Sequence, residues 1–93
     1  MDSELRTKIE KAAQVLISMG AREVYVFGSA ATGRLREGSD VDLAVVGLPP
    51  AVFFRAMGKA AEALERELDL IDLDEDNLFN RYLKRKGRLQ RVA

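Results

Sequence analysis

Leu5, Ile9, Ala12, Ala13 and Leu16 recur at the three- and four-residue spacing of a single helical face, behind Ser3 as an N-cap and ahead of Gly20 as a left-handed stop. The period predicts a first helix from about Ser3 to Gly20. Val24-Tyr25-Val26-Phe27 is a β-branched and aromatic run too short for a helix, and it predicts a strand that ends at Gly28-Ser29. Residues 30–37 read as one or two helical turns around Gly33, and Gly38-Ser39 then introduces a second strand, Asp40 to Val46, closed by Gly47-Leu48-Pro49-Pro50. Pro50 suits the first turn of a helix, and Val52, Phe53, Ala56, Met57, Ala60, Ala63 and Leu64 supply its apolar stripe over roughly residues 50–66. Leu68 to Leu73 reads as a third strand. Leu78, Phe79, Tyr82 and Leu83 mark one face of a last helix ending near Gly87. Phe53 fits the core, whereas Phe54 fits either core or a partner surface. Helices alternating with strands predict a small α/β sandwich, with a three- or four-stranded sheet packed against about four helices.

Composition narrows what this sandwich can be. Ninety-three residues, 47% hydrophobic and 32% charged, make one soluble domain over 1–93. A chain of this size buries roughly 60–65% of its unfolded surface, enough for one modest core. A homo-oligomer or a partner protein is therefore expected. Cysteine and histidine are both absent, which removes disulfides, thiolate chemistry, imidazole bases and imidazole-held zinc, so any metal must be bound by oxygen. No apolar run approaches the roughly 20 residues of a membrane span. The start, Met1-Asp2-Ser3-Glu4, lacks a secretory signal, and the expectation is a cytoplasmic protein with no membrane partner.

The formal charge is zero, but Asn80 to Ala93 holds six basic residues and no acidic one, leaving minus six on residues 1–79. A nucleic-acid surface is disfavoured for this tail. Cations suit a helix C-terminus, the rest of the chain is acidic, and only Tyr82 offers a stacking ring.

The chemistry is concentrated in Phe27-Gly28-Ser29-Ala30-Ala31-Thr32-Gly33 and, with ten residues between Ser29 and Asp40, in Asp40-Val41-Asp42-Leu43. On a strand, Asp40 and Asp42 share a face, where their charges repel unless a cation bridges them. Hard oxygen donors point to magnesium, or manganese in its place. Asp69 or Asp72 in the third strand offers a further carboxylate, but the two have opposite parity and only one can join. A strand-to-helix turn at Gly28-Ser29 offers N–H groups and a hydroxyl to phosphate, and Arg34 and Arg36 in the following loop are candidates for the triphosphate. A phosphate cradle beside a carboxylate metal site is what nucleotidyl transfer requires. By residue usage, this spacing arises by chance in about one chain of this length per thousand.

Gly28, Ser29, Asp40 and Asp42 together resemble the defining pattern of the minimal nucleotidyltransferases of the DNA polymerase beta superfamily: Gly-Ser, ten residues, Asp-x-Asp. Leu68-Asp69-Leu70 is similar to the strand that carries the family's third carboxylate. The resemblance spans nearly the whole chain and implies a palm-like mixed sheet. It further implies that Ser29 contacts nucleotide phosphates, that Asp40 and Asp42 hold two metals, and that Asp69 binds one of them and accepts the attacking hydroxyl's proton. Minimal members resemble antitoxins paired with helical HEPN toxins, some of which transfer AMP from ATP to a tyrosine of that partner. The alternative implied is a non-catalytic antitoxin that neutralises its partner by binding alone.

Overall fold

The computed structural model describes residues 3–33, 39–86 and 88–93. The chain runs α1 (Ser3–Ser18), β1 (Glu23–Phe27), α2 (Gly28–Ala31), β2 (Val41–Val46), α3 (Phe53–Leu64), β3 (Leu68–Asp72), α4 (Leu78–Lys86) and β4 (Gln90–Arg91). The four strands form one mixed sheet in the order β3-β2-β1-β4. β1 is antiparallel to both β2 and β4, and β2 is parallel to β3. A parallel pair needs a crossover, which α3 supplies after a single 3-10 turn at Pro50–Val52.

Strand alternation divides the sheet into two unlike faces. Val24 and Val26 of β1, with Val41, Leu43 and Val45 of β2, turn toward α1 and α3 and meet Ile9, Ala12, Ala13, Leu16, Ala56, Ala60 and Leu64. Alanines on both helices keep these layers close, and the apolar face expected of α1 is the one that is buried. The opposite face carries a smaller cluster of Phe27, Ala44, Leu73 and Leu83, so α4 covers only part of it. What α4 leaves uncovered is the end of the sheet where Asp42 lies.

Three local expectations are corrected. The helix expected over 30–37 begins at Gly28 and ends at Ala31, because Gly28 adopts a positive φ of 68° and starts the turn directly off β1. Residues 34–38 lie outside the described residues. The helix expected from residue 50 becomes α-helical only at Phe53, and Glu65 ends it in the left-handed conformation. The last helix ends at Lys86, close to its expected end, but the tail beyond it carries a strand that the residue pattern did not mark. Beyond α4, β4 pairs with β1, and the Val24 N–H donates to the Ala93 carbonyl at 3.1 Å. Gly87, the expected end of α4, lies outside the described residues.

α4 is anchored by Asn80, which is 3% exposed. Its side-chain amide donates to the carbonyls of Asp72 and Glu75, both at 2.8 Å, and its own N–H donates to Asn77 Oδ1 at 2.8 Å. A buried amide of this kind is tolerable because its donors are satisfied. It fixes α4 to the end of β3.

Candidate functional site

The site is assembled by register. Antiparallel pairing sets Phe27, the last residue of β1, opposite Asp42, and parallel pairing sets Asp69 of β3 on the other side of Asp42. One rung of the sheet therefore reads Phe27, Asp42, Asp69 on the face that α4 leaves open. Asp40 lies two residues ahead of Asp42, on the same side as the chain enters β2.

Asp42 is half-buried in this row. Burial first, then the charges of Asp69 and Asp40, hold its carboxyl above the ordinary 3.8. The register also decides between the two candidates in β3. Asp72 pairs with Val45, on the face toward α1 and α3, and its Oδ1 accepts the Asp74 N–H at 2.9 Å in a tight turn. Asp69 is thus the carboxylate beside Asp42, and Asp72 is committed to closing the strand.

The Gly28-Ser29 turn lies against this row. A Cβ at Gly28 would collide with the Asp42 carboxylate oxygen, so the backbone there approaches Asp42 as only glycine allows. The helix that follows is a single turn, too short to add much dipole. What the turn offers are its backbone N–H groups and the half-buried Ser29. Thr32 donates its hydroxyl back to the Ser29 carbonyl at 3.2 Å and so tightens the turn. Gly28→Ala is expected to lower stability by about 1–2 kcal/mol, from the positive φ and the collision. Chemical denaturation reads this cost.

The donors suit a hard divalent cation: carboxylates only, mutually repelling, with Asp42 protonated more readily because burial, and then the charges of Asp69 and Asp40, disfavour its ionised form. Among the described residues, no three acidic side chains gather tightly enough to enclose one ion. Asp40 and Asp69 instead flank Asp42. Arg34, expected at the triphosphate, and Arg36 fall outside the described residues. The basic tail is partly engaged within the chain. Arg81 pairs with Asp76 at 2.7 Å, Lys84 donates to the Leu73 carbonyl at 3.2 Å, and Arg91 donates to that of Ala93 at 3.0 Å.

Residues 5–89 match the family described as polymerase beta, nucleotidyltransferase. The chain belongs to that family. A solved structure described as a minimal nucleotidyltransferase superposes with a TM-score of 0.76 at 26% identity, covering all of this chain and 96% of its own. A chain of a toxin–antitoxin complex with AMP-PNP gives 0.71 at 25% identity, covering 95% of this chain and 72% of that one. A third neighbour, at 23% identity and a TM-score of 0.65, is a tri-AMPylated Shewanella oneidensis HEPN toxin with its MNT antitoxin; it covers all of this chain and 72% of its own. At that identity the likeness speaks for the fold alone. Among curated proteins, no sequence matches. The mixed four-stranded sheet with four helices is the minimal nucleotidyltransferase fold that the sequence resemblance implied. Among the described residues, no helix is long and apolar enough to cross a membrane.

Proposed function

We propose that this member of the nucleotidyltransferase family is a magnesium-dependent enzyme that moves AMP from ATP onto a tyrosine hydroxyl of a helical, HEPN-type partner protein, as the antitoxin of such a pair. The observation that carries the reading is the rung on which Asp42, flanked by Asp69 and preceded by Asp40, meets the Gly28-Ser29 turn. The likeness to a toxin–antitoxin complex holding AMP-PNP supports both the adenine nucleotide and the pairing.

In this reading the Gly28-Ser29 turn holds the triphosphate through N–H groups and the Ser29 hydroxyl. Arg34 is the candidate cation for the outgoing pyrophosphate. Asp40 and Asp42 would hold magnesium, with Asp69 beside them as a further ligand. When bound, the metal offsets the triphosphate's charge and favours attack at the α-phosphorus. Asp69, on the outer strand, accepts the proton of the attacking hydroxyl. The hydroxyl oxygen then bonds to the α-phosphorus, the bond to the bridging oxygen of the β-phosphate breaks, and pyrophosphate leaves with that electron pair. Gly28 and Ser29 act on the donor, and Asp69 on the acceptor.

The test is the intact mass of a co-purified or neighbouring-frame helical partner after incubation with this protein, magnesium and each of the four nucleoside triphosphates. The expected result is a gain of one or more AMP units with ATP alone. A stable complex with no gain under any nucleotide would overturn transfer and leave an antitoxin that acts by binding.

A further inference from the structure

β3 is an edge strand, since the sheet order ends with it. Its Leu73 N–H donates to Val45 at 2.8 Å and its entry residue Glu67 accepts from Val41 at 3.0 Å, so the odd-numbered residues bond to β2. The N–H and C=O groups of Leu68, Leu70 and Asp72 are therefore turned outward. Among the described residues, only the Asp72 carbonyl of these is taken, by the Asn80 side-chain amide at 2.8 Å and the Glu75 N–H at 3.3 Å.

Outside this edge lies a cleft of about 530 Å³. Leu70, Ile71 and Asp72 form its floor, Phe53 and Phe54 one wall and Phe79 the other. Phe54 is 77% exposed and Phe79 51% exposed, although Phe79 is braced edge-on against Phe27 at 6.1 Å. Asp72 and Glu75 lie on the rim, within a stretch from Leu68 to Asp76 that carries five carboxylates and no basic residue. Of these, Asp76 is matched by Arg81, whereas Asp74, Asp72 and Glu75 accept neutral donors: the Gly47 N–H at 2.7 Å, the Asp74 N–H at 2.9 Å and the Asn77 side-chain amide at 3.4 Å. The groove is thus aromatic-walled, acid-rimmed and floored by unpaired backbone.

We propose that this groove takes an extended segment of a partner protein as a fifth strand, with basic side chains meeting Asp72 and Glu75 and apolar ones seated between Phe53, Phe54 and Phe79. β3 from Leu68 to Asp72 spans about 13 Å, enough for four or five paired residues. A residue opposite Asp69 on the added strand shares its face, so a hydroxyl there arrives on the side of Asp69 away from the Gly28-Ser29 turn. This last step rests on the transfer reading above; the docking itself does not. Charge selects the occupant. Two copies paired edge to edge would set Asp69, Asp72 and Glu75 against one another, which like-charge neighbours on a sheet disfavour, whereas a basic strand relieves the same charges.

Selection of tyrosine-centred heptapeptides, randomised at the other six positions, on the protein free of metal and nucleotide tests the proposal. Enriched peptides should alternate Lys or Arg with aliphatic or aromatic residues. The best of them should shift the amide resonances of Leu68, Leu70 and Asp72 and slow hydrogen exchange at Leu70. N-methylation at the peptide residues whose N–H groups face β3 should weaken binding at least tenfold, and methylation at the alternate positions no more than twofold. The double change Asp72→Asn with Glu75→Gln should erase the preference for basic residues. No enrichment, shifts mapped elsewhere, indifference to N-methylation, or a concentration-dependent dimer through the same amides would each overturn the proposal. None of these measurements needs transfer to occur, so failure of the peptide test and failure of the mass test are separate results.

Discussion

Asp42→Asn is expected to reduce AMP transfer about a thousandfold while raising the melting temperature of the metal-free protein. The activity loss follows from removing the central carboxylate of the row, a loss of roughly 4 kcal/mol of transition-state stabilisation at 1.36 kcal/mol per tenfold. The stability gain follows from the same geometry. Without a cation, Asp42 is a half-buried charge pressed by Asp69 and Asp40, and asparagine removes it at nearly constant shape. Because its carboxyl is held above 3.8 in the folded state, the folded chain binds more protons than the unfolded one as pH rises through that range. Asp42 therefore costs nothing below its unfolded value, and its penalty accumulates until pH passes its folded value. The gap in melting temperature between variant and native chain should open across the acidic range and stay flat above it. Magnesium at neutral pH should stabilise the native chain and leave the variant unmoved. Calorimetry at three pH values, with and without magnesium, reads all of this. A variant that transfers AMP at the native rate, or melts below the native chain at neutral pH without metal, would contradict the role given to Asp42.

Leu43→Ala is expected to cost about 3–4 kcal/mol, the larger share of what a domain of this size has to spare. Leu43 is fully buried on β2, beside Asp42, between the strands and the α1 and α3 layer. Removing its isopropyl group leaves a cavity that two helices and a sheet cannot jointly close. At about 4–8 °C per kcal/mol for a small domain, the melting temperature should fall by about 15–25 °C. Phe54→Ala, at a ring already in solvent, should change stability by less than about 0.5 kcal/mol. Urea unfolding of the two variants separates these outcomes. Equal and small effects would mean that the core is not where β2 places it.

What could be read from the sequence was what local chemistry writes there. The faces of α1 and α3 follow from apolar spacing, and Gly28-Ser29 with Asp40 and Asp42 follow from turn residues and strand parity. Residue types alone left Asp69 and Asp72 both open, since each is compatible with a strand; the family resemblance pointed to Asp69, and the pairing of β3 with β2, a long-range contact, sets it beside Asp42. β4 was missed for a related reason. Gln90 and Arg91 are both exposed and carry no alternation, so nothing local distinguishes them from a solvated tail. The turns after Ser29 were misplaced because Gly28, read as a strand stop, is also where the helix begins.

β4 gives the molecule an order of assembly. The strand that carries the Gly28-Ser29 turn appears early in the chain, yet one of its edges is satisfied only by residues 90–93, through Val24 and Ala93 among others. Closing so long a loop is entropically slow to nucleate. While the chain is being synthesised, α1, β1 and β2 can already meet, but the outer edge of β1 must wait for residues 90–93. Until then β1 presents a five-residue open edge, which docking of residues 90–93 replaces with the two-residue edge of β4.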